Sequence, residues 1–100
     1  MTKSKSSKHV RSLTEREFCA ITKAVSDPQR YEILQFIAGK KDCTCVELRE
    51  RCPITPATLS HHLKELESAG LITIGRKGKF AFPSFRRDVW KTYLSKLSAL

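Results

Sequence analysis

Apolar residues recur along this chain at helical spacing in five segments and alternate in one, with sharp stops between them. Phe18, Ile21 and Val25 fall on one helical face, and Leu13, Ala20 and Ala24 form a second, smaller strip. Thr14 and Glu17 have capping-box spacing, so the first helix is predicted to begin there, and its two apolar sides predict two neighbours. Asp27-Pro28 opens a second helix with Ile33, Leu34 and Ile37 inward and Gln29, Glu32 and Gln35 outward, closed by Gly39. Thr44 and Glu47 repeat the capping-box spacing. They predict a short third helix through Val46 and Leu48 to about Arg51, which Pro53 forbids from continuing.

The stretch TPATLSHHLKELESAGLI, residues 55–72, carries the clearest signal. Thr55 can serve as N-cap, Pro56 occupies the first helical position where its missing N–H costs nothing, and Gly70 supplies a left-handed stop. The predicted helix is Pro56–Ala69. At about 100° per residue, Leu59, Leu63 and Leu66 share one stripe, while Ala57, His61 and Lys64 point the opposite way, flanked by Thr58 and Ser60. Short side chains, hydroxyls and an imidazole let a backbone approach base pairs closely and still offer donors and acceptors. An ordinary amphipathic surface helix is the plainer alternative.

After Gly70 the period turns extended. LITIG and KFAFP flank Arg76-Lys77-Gly78, predicting a hairpin with a basic tip. From about Ser84 to Leu97 a last amphipathic helix runs through Phe85, Val89, Trp90, Tyr93, Leu94 and Leu97. Its broad apolar surface has no later segment to cover it and predicts a second subunit. The whole reads as a mainly α domain with a β-hairpin wing, a winged helix-turn-helix over residues 13–100 that dimerises through its first and last helices. Residues 1–12 form a Ser/Lys arm that cannot build a core and is expected to be disordered without a partner.

Charge sharpens this picture. The net charge of +9 is unevenly placed: Lys3, Lys5, Lys8 and Arg11 stand in the arm without an acid, and residues 76–100 hold seven basic residues against Asp88 alone. A surplus confined to the arm and to the segment after the candidate recognition helix makes a positive band suited to a polyanion. No apolar run is long enough for a membrane span, and MTKSKSSKHVRS lacks the apolar segment of a signal peptide, so the cytoplasm is the expected location. Four cysteines then read as thiols or metal ligands rather than as a disulfide framework.

VSDPQRYEILQFI resembles the "DPxRxxIL" second helix of the arsenic-repressor (ArsR/SmtB) family of bacterial transcriptional regulators, and LSHHLKELESAGLI resembles that family's "SxHLxxLxxAGLI" recognition helix. RKGKFAF is similar to its Arg-x-Gly-Arg/Lys wing. The resemblance covers roughly residues 18–94. It implies a homodimer on a double-stranded DNA operator, usually as a repressor, with recognition-helix contacts at Thr55, Ala57, Thr58, Ser60, His61 and His62 and wing contacts at Arg76, Lys77 and Lys79. Lys64 joins them from its place on the outward face. Plainer roles stand beside these: Thr55 only caps, His62 lies nearer the leucine stripe and packs there or meets a phosphate, and Arg76 and Lys79 meet phosphates or the minor groove. Arg86 and Arg87 are solvated or pair across the dimer.

Many members of that family sense metals or metalloids through a Cys-x-Cys at the start of the third helix, where this chain has Cys43-Thr44-Cys45. Two thiolates at a helix N-terminus can bind a soft metal, with a third ligand from Cys52 or from His9 or Cys19 of the other subunit. Against a sensor, the family's Cys-Val-Cys-Asp-Leu is Cys-Thr-Cys-Val-Glu-Leu here, which shifts the pair by one residue, and the last helix holds Asp88 but no histidine. The expected state is therefore a regulator without a cofactor, with a metal-responsive repressor as the alternative. A winged-helix protein-interaction module would carry an acidic or apolar recognition face, unlike this one. Catalysis is not expected, since there is no glycine-rich phosphate loop and no acidic pair spaced for acid–base work.

Overall fold

The structure, a computed structural model, describes residues 12–100. The expectation for the basic arm, and with it His9, lies outside these residues up to Arg11. The described elements are α1 (Glu15–Val25), α2 (Pro28–Ala38), α3 (Cys45–Arg51), α4 (Pro56–Ser68), β1 (Ile72–Lys77), β2 (Phe80–Phe85) and α5 (Arg87–Ser98). Local chemistry sets the helix starts. At Thr14 and Thr44 the hydroxyl accepts from the N–H of Glu17 and Glu47, 3.1 Å in both, and each glutamate accepts from the threonine N–H in return. Asp27 and Thr55 cap α2 and α4 through the N–H groups of Arg30 and Thr58, each with a proline in the first turn.

The end of α4 is closed as firmly as its beginning. Gly70 takes a φ of +83°, the Leu71 N–H reaches back to the Leu66 carbonyl at 3.0 Å, and the Gly70 N–H reaches that of Glu67 at 2.9 Å. That pair of bonds is a Schellman closure, and its apolar contact joins Leu66 to Leu71, both fully enclosed. The core lies where α1, α2 and α4 meet in pairs. Ile21, Ile33, Ile37, Leu48, Leu66, Leu71 and Ile72 are its enclosed aliphatic side chains.

In the wing, β1 and β2 pair antiparallel from Ile72↔Phe85 to Lys77↔Phe80. Gly78 and Lys79 form the two-residue turn, with Gly78 at a φ of +61° in the first position, as a type II′ turn requires. Arg76 and Lys77 thus belong to the strand, and the tip lies beyond the expected Arg76-Lys77-Gly78. Pro83 is buried opposite Ile74. Counting from the closing pair, Ile74 and Pro83 form a non-hydrogen-bonded pair, so the missing proline N–H leaves the ladder intact.

The last helix begins later than expected. Phe85 still faces Ile72 in the ladder, and the Arg86 N–H donates to the Leu71 carbonyl at 2.8 Å, a pairing and a bond that a helix starting at Ser84 would forgo. The expected single apolar face of α5 is divided. Tyr93 turns inward, its ring 4.9 Å from that of Phe18 and its hydroxyl 2.8 Å from the Thr22 hydroxyl, which docks α5 on α1. Leu94 and Leu97 stay 43% and 39% exposed. Arg86 grips Asp88 of its own chain through two bonds, and Arg87, which stays exposed as expected of a solvated side chain, also donates to the Ala38 carbonyl.

Because Leu66 is fully enclosed and also seals the end of α4, Leu66→Ala should lower the unfolding free energy by about 2–5 kcal/mol in chemical denaturation. Lys64→Ala, one face away and exposed, should change it by no more than about 0.5 kcal/mol.

Candidate nucleic-acid interface

With its leucines enclosed, α4 shows solvent the face expected from the sequence. Thr55, Ala57, Ser60, His61 and Lys64 are exposed and Thr58 is half-buried. The Thr55 hydroxyl accepts from the Thr58 N–H at 3.1 Å and donates to the Thr58 hydroxyl at 2.9 Å, so its proton and one of its two lone pairs are engaged in the cap. Arg76, Lys77 and Lys79 are all exposed on the wing, and none makes an ion pair among the described residues. The turn end of the wing packs on α3, where Thr44, Cys45, Val46 and Arg49 face Lys79, Phe80 and Ala81 across a cavity of about 290 Å³.

His62 departs from the expected contact set. Only 5% of it is exposed, and it points back toward α2. The Arg30 Nε donates to its Nδ1 at 3.3 Å, and its Nε2 lies 2.9 Å from Gln29 Oε1. A guanidinium can only donate, so Nδ1 accepts, and Nε2 carries the proton and donates to Gln29: a neutral imidazole in a defined tautomer. Arg30 also reaches the Ala24 carbonyl at the end of α1, and its own N–H is held by Asp27 Oδ1 at 3.0 Å. Burial holds the His62 pKa below the usual histidine value; Asp27 pulls it back up, while Arg30 and His61 push it further down. Helical period alone places Gln29 outward and gives Arg30 no task. The Asp27-Pro28-x-Arg30 pattern is the available signal, and its partner 32 residues on is visible only once α2 and α4 pack.

Residues 25–74 match the family of helix-turn-helix domains. The chain is 37% identical over 76 residues to the uncharacterized HTH-type transcriptional regulator YceK of Bacillus subtilis (strain 168), covering 74% of this chain and 75% of that protein. It is 38% identical over 69 residues to the transcriptional repressor SdpR of the same organism, with 69% and 76% covered. An arsenical resistance operon repressor of Staphylococcus xylosus is 36% identical over 66 residues, covering 66% of this chain and 62% of that protein. Among solved structures, an ArsR-like transcriptional regulator from Rhodococcus sp. RHA1 superposes with a TM-score of 0.70 at 25% identity over 84% of this chain and 81% of its own. The chain belongs to the ArsR family of helix-turn-helix transcriptional regulators. A homodimeric winged helix-turn-helix DNA-binding domain from Mycobacterium bovis shares the fold of this ArsR-family chain, with a TM-score of 0.69 at 20% identity over 90% of both. Family and fold are those of transcriptional regulators, not of enzymes. No helix among the described residues is long and apolar enough to cross a membrane.

The cysteine pair of this ArsR-family regulator is divided between two environments. Cys43 is wholly enclosed in the core, whereas Cys45 is half-buried and lines the cavity under the wing. Burial pushes the Cys43 thiol up to about 11, with Glu47 and Cys45 adding to the rise and Lys40 opposing it. Cys45 is raised by burial against the pull of Arg76 and Arg49, and Cys52 by burial and Glu32 against Arg51. The expected preference for thiolate at the start of α3 is thus overturned by desolvation. No three His, Cys, Asp or Glu side chains converge as metal ligands among the described residues. Two protonated thiols in separate surroundings do not fit a three-ligand soft-metal site within one subunit.

In the folded protein at about pH 8, a thiol-specific reagent should label exposed Cys19 readily and reach Cys43 and Cys52 only on unfolding. Mass mapping of labelled peptides checks this, and labelling of Cys43 as fast as Cys19 would contradict its enclosure.

Proposed function

We propose that this ArsR-family regulator is a cytoplasmic repressor that binds a double-stranded operator as a homodimer, with α4 in the major groove. The observation that carries this reading is the outer face of α4, where Ala57, Ser60, His61 and Lys64 are exposed on a helix otherwise locked to its core. Small residues there let the helix axis come close to base edges, and Ser60 and His61 supply the hydrogen-bonding groups. Thr58 joins them through a hydroxyl that can donate outward. Thr55 serves as the cap and His62 as an internal support. Arg76, Lys77 and Lys79 carry phosphate or minor-groove contacts, which hold the protein in register without reading sequence.

Dimerisation follows from α5. Leu94 and Leu97 remain exposed after Val89 and Tyr93 are buried against the same subunit, and a second copy covers them. The common fold with a homodimeric winged helix-turn-helix domain supports this arrangement. Such a dimer presents two α4 helices to half-sites about one helical turn apart. A metal held by Cys43 and Cys45 has no part in this reading, which is supported by the complete enclosure of Cys43 and by the lack of a third converging ligand among the described residues.

Base reading and charge separate in two variants. His61→Ala should cost about 1–3 kcal/mol on a selected operator and relax preference at one base pair, while Lys79→Ala should weaken all duplexes alike and flatten the salt dependence. Anisotropy titrations on specific and random duplexes at several salt concentrations distinguish them; equal weakening on both duplexes by His61→Ala would remove α4 from the role of reader. Leu94→Asp should give folded monomers in sedimentation, since a charge in a closed apolar interface costs several kcal/mol. A variant that stays dimeric would place the interface elsewhere.

A further inference from the structure

We infer that His62, although it faces away from DNA, is a positioning residue for sequence reading: its two hydrogen bonds to α2 fix the rotation of α4 about its own axis. This rests on the reading that α4 enters the major groove. The leucine stripe holds α4 in place, but contacts between aliphatic side chains are not directional and permit small rolls of one helix on another. A roll of about 10° moves a side-chain tip about 6 Å from the helix axis by roughly 1 Å, which is enough to spoil a hydrogen bond to a base edge. Directional bonds prevent it. His62 adjoins His61 in sequence, so the bonds from its ring to Gln29 and Arg30 act within one residue of the outermost reading side chain. Arg30 carries the constraint onward, because it is tied to Asp27 through its backbone and to the end of α1 through the Ala24 carbonyl.

The two bonds exist together only for the neutral ring, since Nδ1 must accept from Arg30 while Nε2 donates to Gln29. A second proton would sit on Nδ1 facing the Arg30 guanidinium, replacing an accepted bond with two opposed positive charges. The charged and titratable groups set around His62 are Asp27 and Arg30 from α2 and His61 from α4. Asp27 alone favours the protonated ring, and burial outweighs it. The folded-state pKa is therefore depressed, so the unfolded chain takes up the proton first. The clamp is therefore intact at and above the ordinary histidine value of about pH 6.5, and its contribution is lost as the pH falls from there through the lower folded-state value. Acidification is thus expected to erode preference among sequences.

The experiment uses a duplex selected by the wild-type protein from a random-sequence pool, with a random duplex of equal length as the reference. His62→Phe keeps a ring of similar size and removes both nitrogens; Gln29→Ala changes an exposed residue and removes one bond. Thermal unfolding of each variant establishes that it is folded, and if His62→Phe fails to fold, Gln29→Ala decides. The expected result is a loss of about tenfold in affinity for the selected duplex near neutral pH, with random binding unchanged. The wild-type preference should also hold from about pH 7.5 to 6.5 and fall only on acidification below that range, a fall that His62→Phe lacks. Full preference in the folded variants, equal losses on both duplexes, or the same pH profile in His62→Phe would each overturn the inference. Failure of the wild type to enrich any duplex would overturn the reading of α4 itself, and the inference with it.

Discussion

Enclosure of Leu59, Leu63 and Leu66 is the constraint on which the rest of the structure depends. A helix that reads DNA must be gripped on one side and left bare on the other, and a domain of 100 residues has little apolar surface with which to grip. This chain concentrates it. α1 and α2 present Ile21, Ile33, Leu34 and Ile37 to the same core, and the Schellman closure fixes where α4 ends and the wing begins. Fixed ends and one buried stripe leave a single rotational degree of freedom, which the polar contacts of His62 address.

Elements governed by local chemistry are legible in the amino-acid sequence itself. The four helix starts at Thr14, Asp27, Thr44 and Thr55 rest on caps reaching three residues ahead, and all four side chains cap as their spacing implies. The outward character of Ala57, Ser60, His61 and Lys64 is legible for the same reason, since helical period alone assigns it. What escapes depends on contacts distant in sequence. Phe85 fits both the last apolar helix and the end of a strand, and only its pairing with Ile72 decides. Tyr93 shares a face with Leu94 and Leu97 by periodicity, but Phe18 and Thr22, more than seventy residues earlier, draw it inward. His62 reads as an edge residue because nothing near it in sequence announces Gln29 and Arg30.

Competition between two electrostatic effects decides the state of the cysteines. The positive end of a helix dipole favours a thiolate by a modest amount and acts within the first turn, whereas enclosure removes the water that would solvate the charge. At Cys43 enclosure prevails, and the acidic Glu47 of the capping box adds to it. The same glutamate that completes the cap of α3 thereby adds to the effect of enclosure on the neighbouring thiol. A local stabilising device and the silencing of a nucleophile are here one arrangement.

Pro83 bears on how copies of this molecule can meet. In its non-hydrogen-bonded pair the proline nitrogen faces the outer edge of β2, where any other residue would present an N–H to a neighbouring strand. A two-stranded ribbon has two open margins, each a template onto which another chain can be stitched. At this position, in the middle of a six-residue strand, the margin offers a buried ring in place of a donor and is flanked by Gly39, Lys40, Lys41 and Asp42 of the same chain. Continuous growth of the sheet across molecules is interrupted there, so association is left to the helices and the hairpin stays a separate, narrow finger.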